Sequence, residues 1–380
     1  MYKPLDGLRG LMAIWVFAHH LKSMSGSTTG LIPSGAIAVD VFMLISGFLM
    51  CAHYRERALE EPWTSHTTWA RFYLRRFFRI APLYYVAFAV VGILGGELSD
   101  FRLNTRDAFP PQGVDVAPDG VTDQRHPFAS ALLHFSFLFG FFPAYGASSQ
   151  HIPDWSLGLE AQFYVLFPFL MLFMRRFGYG ALVILCTAAF LLSHKFIGVY
   201  TEPKLLGLFP QPTLLPLKIN CFLVGMLLAE AHYKRDSPEF SLLAAAAVFL
   251  SFYRQDVLFG MTATGLLVLL LGEDAWDRFG VGMPARVARN ILGGRPGHHL
   301  GEISYGIYLF HIPIALPIAA ALAGRQWYLH QPANVRLVIL FGLSSAPVYL
   351  VARFGYTYIE RPFIAFVRRF LAGHLRQPPG

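Results

Sequence analysis

The chain has 380 residues, of which 55% are hydrophobic and only 14% are charged, and its formal net charge is +8. This composition argues against a soluble globule and excludes a disordered chain, a coiled coil and a collagen-like protein. The arginines cluster in short loops between apolar segments, so we attribute the positive charge to membrane orientation and not to nucleic-acid binding. The sequence therefore predicts an all-α integral membrane protein.

Eleven apolar segments of helix-spanning length follow one another along the chain. Short cytoplasmic loops carry excess Lys and Arg, which places the acidic stretch 97–127 outside and the arginine pair 175–176 inside. Only one of the two intervening segments can then cross. We predict that 128–147, which His134 and Pro143 interrupt, is a re-entrant hairpin. The prediction is about ten transmembrane helices plus this hairpin, with both termini in the cytoplasm. The predicted segments are 8–25, 34–53, 79–96, 128–147, 156–174, 178–194, 214–232, 239–254, 257–272, 301–323 and 336–358.

No internal repeat or low-complexity tract divides the chain. We predict one transmembrane domain, 1–360, followed by a short basic cytoplasmic tail, 361–380. The three cysteines, Cys51, Cys186 and Cys221, lie in apolar stretches without metal-type spacing. They are expected to be packing residues, so neither a disulfide framework nor a metal site is predicted.

The first helix carries two ionisable residues, Arg9 and His20, eleven positions apart. At about 100° per residue they share one face, roughly 16 Å apart along the axis. Ionisable groups in a membrane helix usually face the bundle interior, so the pair predicts a polar stripe. Alternatively, Arg9 anchors the helix at the membrane surface and His20 is a packing residue. The neighbouring His19 points about 100° away and is expected to be structural.

Two buried carboxylates are candidates for partners of His20. Asp40 lies among apolar residues of the second helix, and Glu160 lies one turn inside a later helix whose N-cap is expected to be Ser156. A carboxylate bonded to one ring nitrogen of His20 would leave the other nitrogen to take a proton from a hydroxyl. The alternatives are that Asp40 pairs structurally with an arginine and that Glu160 caps its helix.

A basic helical face follows the second helix, where arginines recur at positions 71, 75, 76 and 79. Such a face binds either anionic lipid or a phosphorylated cofactor. The sequence has no Walker loop and no G-x-G-x-x-G, so any nucleotide would be held mainly by these arginines. The residues concerned are Arg71, Arg75, Arg76 and Arg79.

Further polar residues lie near the predicted membrane centre or surface. The pair Ser46 and Gly47 is expected to permit close helix packing, because no G-x-S-x-G elbow surrounds the serine. His311 could line a cavity in mid-membrane. Glu360 and Arg361 are expected to form a structural ion pair at the inner surface.

Six strings in order resemble the acyltransferase-3 family of membrane O-acyltransferases. They span almost the whole chain: LDGLRG with Arg9 and His20, VDVFMLISGFLM, RRFFRIAPLYY, WSLGLEAQFYVLFP, SYGIYLFHIP and YIERPF. Where the family often has WSLSVEEQFY, this chain has Glu160 followed by Ala161, which leaves no second carboxylate there. The resemblance implies that His20, Asp40 and Glu160 are catalytic.

The resemblance also implies the substrates and their sites. An acyl group, commonly acetyl, passes from cytoplasmic acyl-CoA to a hydroxyl of a carbohydrate or other acceptor at the outer face, in the bacterial inner membrane. Acyl-CoA is a co-substrate, and no permanently bound cofactor, metal or nucleic acid is expected. About twenty residues follow the last helix, so we expect a stand-alone member without an SGNH hydrolase-like domain; the oligomeric state is open. The expected acyl-CoA residues are Arg9, Arg71, Arg75, Arg76 and Arg79, and the expected substrate residues are Trp155, Tyr164 and His311.

Other functions remain open on the residues alone. Buried His20, Asp40 and Glu160 would also suit the proton relay of a proton-coupled transporter, although no inverted repeat is found. Another membrane acyltransferase family is disfavoured because the chain has no H-x-x-x-x-D string. Within acyl transfer, His20 could act as general base or as a transient acyl carrier.

Overall fold

The computed structural model describes residues 2–110, 126–146, 151–200, 202–253, 255–270, 276 and 280–374. The described residues are mostly helical. The helices are α1 (Lys3–Met24), α2 (Gly35–Arg57), α3 (His66–Ala108), α4 (Pro127–Phe135), α5 (Trp155–Phe196), α6 (Ile219–Tyr233), α7 (Glu239–Phe252), α8 (Val257–Leu270), α9 (Gly282–Gly293), α10 (Arg295–Ala323), α11 (Gln326–Leu329), α12 (Ala333–Gly355) and α13 (Arg361–His374).

Short irregular elements join the helices. One π-helical turn, Tyr356–Glu360, links α12 to α13. Within the described ranges, 3₁₀ turns occur at Phe139–Phe141 and Leu215–Leu217. The strands β1 (Gly198–Val199) and β2 (Leu208–Phe209) form a two-residue parallel pair after α5.

Helix length and composition make this an integral membrane protein. Within the described ranges, five helical stretches are long and apolar enough to cross a membrane. Three shorter apolar helices, α6, α7 and α8, follow one another. The five stretches are Gly35–Arg57, His66–Ala108, Trp155–Phe196, Arg295–Ala323 and Ala333–Ala372.

The predicted segments coincide with helices, apart from 128–147. There, α4 has nine residues, which at 1.5 Å per residue is about 14 Å and well short of the roughly 30 Å hydrocarbon core. A 3₁₀ turn follows it. Gly178, at φ +84°, interrupts α5 and divides it into two helical pieces. The number of crossings and their orientation stay predictions.

Two predicted boundaries differ from the structure. The predicted outer loop 97–127 begins as helix, because α3 continues to Ala108, and residues 111–125 lie outside the described residues. The described part of the predicted tail, α13, packs against α3, where the rings of Phe78 and Phe363 stack with centroids 6.0 Å apart. Residues 375–380 lie outside the described residues.

Close helix contacts at glycines bring the polar residues together. At the crossing of α2 and α6, a Cβ on Gly47 would collide with the Phe222 carbonyl, and a Cβ on Gly225 with the Leu44 carbonyl. Helix α1 packs against both α2 and α10, and a Cβ on Gly301 of α10 would collide with the backbone of α1. The polar faces of α1, α2 and α10 therefore share one interior.

Candidate active site

Two polar cavities lie at opposite ends of α1. The first, which we call the His20 cavity, has a volume of about 510 Å³ and its walls include Val16, His19, His20 and Met24 from the C-terminal part of α1. The second, which we call the Arg9 cavity, has a volume of about 500 Å³ and includes Asp6 and Arg9 from the N-terminal part. The described residues that line one cavity do not line the other. Arg9 and His20 thus line separate cavities, although both residues lie on α1.

The hydrogen-bond partner of His20 is His311 of α10. His311 Nε2 lies 2.9 Å from His20 Nδ1, and His20 Nδ1 also lies 3.0 Å from the Val16 carbonyl oxygen. His311 Nδ1 lies 3.0 Å from the Ile307 carbonyl oxygen and must donate to it, so in the neutral ring its Nε2 is an acceptor. His20 Nδ1 is therefore the donor, and its Nε2 keeps the lone pair that a general base needs.

The predicted contact between Asp40 and His20 is wrong. The Asp40 carboxylate pairs with Lys218, whose Nζ lies 2.8 and 2.9 Å from the two carboxylate oxygens. Lys218 lies at the start of α6, which packs along α2. The Asp40 carboxylate therefore pairs with α6 and not with His20 of α1. Asp40 thus forms an ion pair, as the alternative interpretation expected, but its partner is a lysine and not an arginine.

Glu160 does not reach His20 either. Its Oε1 accepts a hydrogen bond of 3.0 Å from Ser46 Oγ and a second one from the Tyr164 hydroxyl. The carboxylate also interacts electrostatically with Arg9, Arg76 and Arg79. Glu160 therefore links α2, α3 and α5, and these hydrogen bonds come from side chains and not from the backbone amides that a helix cap would bind.

The predicted N-cap of α5, Ser156, lies inside the helix, because α5 begins at Trp155 after Asp154. The Ser156 hydroxyl lies 2.7 Å from the Tyr308 hydroxyl, which donates at 2.6 Å to the Pro153 carbonyl oxygen. Ser156 is therefore the donor to Tyr308. Glu160 follows one turn after Ser156 and interacts electrostatically with Arg9 and Arg79 of the Arg9 cavity, whereas Tyr308 lines the His20 cavity. These polar side chains form a layer between the two cavities. We define this polar layer as Ser46, Ser156, Glu160, Tyr164 and Tyr308.

The Arg9 cavity gathers charges from several helices. Arg79 of α3 faces it and pairs with Glu360 at 3.1 Å, so the predicted pair of Glu360 with Arg361 is wrong. Glu360 is 1% exposed at the end of the π-helical turn, whereas Arg361 lines the cavity. Other lining residues are Asp6, His298, Glu302, Tyr356 and Arg368.

The predicted basic face of α3 is divided between different surroundings. Arg75 pairs with Glu61, and although burial raises the pKa of that carboxyl, the hydrogen bonds and charge of Arg75 produce a net lowering. Arg76 lies 5.6 Å above the Tyr164 ring, beside the polar layer. Arg71 is half-buried and interacts electrostatically with Glu61. Only Arg79 of the four lines the Arg9 cavity, so the prediction of one continuous face is wrong.

The three predicted substrate residues occupy different places. Trp155 lines the His20 cavity, Tyr164 belongs to the polar layer, and His311 is fully buried behind His20. The sequence reasoning missed Lys218. Its position at the start of an apolar helix was the available signal, because a charged residue there usually has a partner. It also missed the cavity role of the arginines of α13, although Arg361 and Arg368 are seven residues apart and share a helical face.

The fold and these contacts define a helical membrane protein with two polar cavities joined by a polar layer. The family model described as an acyltransferase domain matches residues 2–353. The chain therefore belongs to the acyltransferase-3 family, which confirms the resemblance.

Characterised relatives resemble the chain over nearly all its length. It is 26% identical to the peptidoglycan O-acetyltransferase OatA of Listeria monocytogenes, over 95% of this chain and 56% of that protein. It is 27% identical to the exopolysaccharide production protein ExoZ of Rhizobium meliloti, over 89% and 93%. The O-acetyltransferase OatA of Staphylococcus aureus is 23% identical, over 95% and 58%. The chain thus spans little more than half the length of the OatA proteins. No solved structure matches it.

Proposed function

We propose that this protein transfers an acetyl group from cytoplasmic acetyl-CoA to a hydroxyl of a carbohydrate at the outer face of the bacterial inner membrane. The observation that carries the proposal is the hydrogen bond between His20 and His311, because it leaves a basic Nε2 on a residue that lines a large polar cavity. The relatives support the choice of acetyl and of a carbohydrate, since their names refer to O-acetylation, peptidoglycan and exopolysaccharide.

The orientation follows from loop charge. Loops rich in arginine favour the cytoplasm, so ten crossings place the Arg9 cavity inside and the His20 cavity outside. The donor then enters at Arg9 and the acceptor enters at His20. The nucleotide of CoA never has to cross the hydrocarbon core, where its charge would be costly.

The Arg9 cavity suits the phosphates of CoA. Guanidinium groups bind phosphate through paired, charge-assisted hydrogen bonds, and this cavity offers Arg9, Arg79, Arg361 and Arg368. This proposal assigns no phosphate contact to the other three arginines of the predicted basic face, Arg71, Arg75 and Arg76. Arg76 instead supports the polar layer through the Tyr164 ring.

The polar layer is the route for the acyl-pantetheine arm. Its hydroxyls and the Glu160 carboxylate provide hydrogen bonds between the two cavities, and Tyr308 belongs both to the layer and to the wall of the His20 cavity. In our proposal Glu160 orients this arm through Ser46 and Tyr164. Asp40 acts at a distance, by fixing Lys218 and the start of α6.

The reaction needs one base and no metal. His20 Nε2 takes the proton of the acceptor hydroxyl while the hydroxyl oxygen forms a bond to the thioester carbonyl carbon. The carbon–sulfur bond breaks, and the proton passes from His20 to the departing CoA thiolate. The acceptor leaves as an ester and CoA leaves as a thiol.

The test uses purified protein in lipid vesicles with carbon-labelled acetyl-CoA and a mixture of oligosaccharides. We expect free CoA and labelled oligosaccharide to appear together, both to be lost in His20→Ala, and no label to stay on quenched protein. His19→Ala is the matched control, because this neighbouring histidine lines the same cavity without the bond to His311. Full transfer without His20, or labelled protein as an intermediate, would contradict the role of general base.

A further inference from the structure

A third cavity, which we call the α5 groove, is apolar and lies along α5. It has a volume of about 660 Å³, larger than either polar cavity and within the range of small-molecule sites. Both pieces of α5 line it, Ala161 before the interruption at Gly178 and Ala189 after it. The segment after α4 and the start of α6 line it as well, with Phe137, Leu138, Phe141, Leu214, Leu215 and Ile219.

The polar side chains of the groove already have partners within the protein. The amide of Gln162 uses both of its ends: Nε2 donates at 2.8 Å to the Thr213 carbonyl oxygen, and Oε1 accepts at 2.8 Å from the Leu215 amide. The Ser136 hydroxyl donates at 3.1 Å to the Leu133 carbonyl oxygen. The one lining cysteine is buried and behaves as a small apolar residue. The surface that the groove offers to a ligand is therefore almost entirely hydrocarbon.

Hydrogen bonds and ring packing fix the walls of the groove. Thr213 Oγ1 donates at 2.9 Å to the Gly140 carbonyl oxygen, which joins the segment after α4 to the segment before α6. A Cβ on Gly140 would lie 2.7 Å from Gln162 Nε2 and 2.9 Å from the Thr213 carbonyl oxygen, so a larger residue would disturb that hydrogen bond. Phe137 has φ +59°, and its ring centroid lies 5.1 Å from that of Tyr84. Such a strained backbone persists where the surrounding structure holds it. The groove is therefore a built feature of the fold.

The groove opens toward lipid. Val165 and Phe141 are 60% and 47% exposed, and exposed apolar side chains of a membrane-crossing stretch contact lipid tails. Lipid tails are as apolar as leucine, so the hydrophobic effect does not favour a chain in the groove over one in the bilayer. A chain is held there by close packing and by whatever the other end of its molecule binds. A specific occupant therefore needs a polar part that binds nearby.

The His20 cavity provides a site for such a polar part. Gln211 lines that cavity and Leu214 lines the groove, and three residues of chain span at most about 11 Å. Along α5, Trp155 lines the cavity and Ala161 lines the groove, with a rise of about 9 Å between them. The groove continues along α5 to Leu170, about 14 Å farther. A molecule with its polar part in the cavity can thus extend its chain along α5.

We propose that the acceptor is a lipid-linked saccharide, whose sugar enters the His20 cavity and whose hydrocarbon anchor lies in the α5 groove. This inference rests on the proposed function and names the acceptor class of the same site. The anchor keeps the acceptor at the membrane and orients it, so that a sugar hydroxyl reaches His20 Nε2. Binding of the two linked parts gives a higher affinity than binding of the sugar alone. The ester forms on the sugar, and the anchor takes no part in the chemistry.

The first experiment measures binding without acyl-CoA, so it does not depend on transfer. The probe is the oligosaccharide mixture of the transfer assay, joined to a hexadecyl chain that carries a photoreactive diazirine at its far end. The probe is illuminated in vesicles that contain the full-length protein, and attached residues are identified by mass spectrometry. We expect attachment in the α5 groove, prevented by excess hexadecyl-linked oligosaccharide without the diazirine.

The competitor that separates the two sources of hydrocarbon is hexadecyl phosphocholine, which has the chain without the saccharide. We expect it to leave attachment in the groove unchanged. Equal competition by this lipid, or attachment spread evenly over the lipid-facing helices, would mean that ordinary membrane lipid fills the groove. Either result would overturn the inference.

Variants that fill the groove then locate the anchor. Ala189→Trp places an indole in the groove, whereas Ala188→Trp places one at an exposed position about 100° away that does not line it. We expect Ala189→Trp to lower kcat/KM for the hexadecyl-linked acceptor at least about tenfold relative to Ala188→Trp, since linked binding commonly gains about 10²–10⁴-fold. With the free oligosaccharides the two variants should have equal kcat/KM, which also shows that both fold. Leu185→Trp, at an exposed lining position, is a second filling variant with the same expected result.

The outcomes separate this inference from the proposed function. Equal kcat/KM of Ala189→Trp and Ala188→Trp with the hexadecyl-linked acceptor would overturn the lipid-linked acceptor while His20-dependent transfer stands. A loss in Ala189→Trp that appears only with long-chain acyl-CoA would assign the groove to the donor and would also overturn it. Absence of transfer to every acceptor, with saccharide-dependent attachment in the groove, would contradict the proposed function and leave the anchor site.

Discussion

The His20 cavity and the Arg9 cavity have similar volumes and share one helix, but their polar groups are satisfied in different ways. In the His20 cavity, neutral groups orient the base: His311 and the Val16 carbonyl both contact Nδ1 of His20. In the Arg9 cavity, a carboxylate holds an arginine, as Glu360 does for Arg79. The partners in the His20 cavity therefore determine which ring nitrogen of His20 carries the proton. Those in the Arg9 cavity determine where the charged side chains lie.

This difference has a chemical consequence. A base held by neutral partners keeps its lone pair available, whereas a carboxylate partner would favour the charged imidazolium. An arginine held by a carboxylate stays in place without a ligand, and it exchanges part of that pairing for phosphate when a nucleotide binds. Substitutions in each cavity test this difference.

The largest effect is expected at His20. His20→Ala removes the base and should lower acetyl transfer by about 10²–10⁴-fold, without loss of folding, because α1 tolerates a small apolar residue there. Transfer is measured as labelled product at saturating acetyl-CoA. In His19→Ala the loss should be much smaller. Equal losses in the two variants would mean that both rings shape the His20 cavity and that His20 is not the general base.

The next effect is on stability, at the ion pair next to the His20 cavity. Lys218→Ala leaves the buried Asp40 carboxylate without its partner and should destabilise the protein by about 3–5 kcal/mol. The measurement is thermal unfolding in detergent. The double variant Asp40→Leu with Lys218→Met should recover most of that stability and much of the activity. Lost transfer in a stable double variant would instead assign Asp40 a chemical role.

In the Arg9 cavity, removing a phosphate contact should weaken the donor. Arg79→Ala alone would strand Glu360, so the informative variant is Arg79→Ala with Glu360→Gln, which keeps a neutral side chain there. We expect the KM for acetyl-CoA to rise about 10- to 100-fold, the range for a hydrogen bond to a charged group, with the acceptor KM unchanged.

Arg75→Ala is the control for this prediction, because Arg75 pairs with Glu61 outside the Arg9 cavity. Its donor KM should change little. If Arg75→Ala raises the donor KM as much as the Arg79 variant, CoA binds along the continuous basic face that the sequence predicted. The different surroundings of the α3 arginines seen in the structure would then not apply when CoA is bound.

The sequence was sufficient for much of the fold because apolar length and helical periodicity are local properties. Apolar length located the helices, and the spacing of Arg9 and His20 predicted a shared polar face, on which each residue lines a cavity. Helix α4 has nine residues in the segment that loop charge predicts to be re-entrant, and its path through the membrane stays a prediction. The family followed from short strings in a fixed order, which needs no knowledge of packing.

The partners could not be predicted, because they depend on which helices are neighbours. His20 bonds to a residue 291 positions away, and Asp40 to one 178 positions away. Periodicity shows that a residue faces inward but not which helix it meets. Asp40, His20 and Glu160 all face inward, yet α6 and α10 provide partners that separate them.

The smallest effect distinguishes the histidine pair from simple packing. His311→Ala removes one of the two acceptors of the His20 Nδ1 proton, a hydrogen bond worth about 1 kcal/mol, which corresponds to roughly a fivefold loss of kcat. His311→Gln offers a carboxamide oxygen that can accept the same proton, so it should retain more activity than His311→Ala. Both variants remove the imidazole that packs against Phe17, so neither keeps this aromatic contact. The KM for acetyl-CoA should stay unchanged in both, since His311 does not line the Arg9 cavity. Equal kcat in the two variants would show that the orientation of His20 comes from the Val16 carbonyl alone, and the neutral pairing that distinguishes the His20 cavity would lose its catalytic meaning.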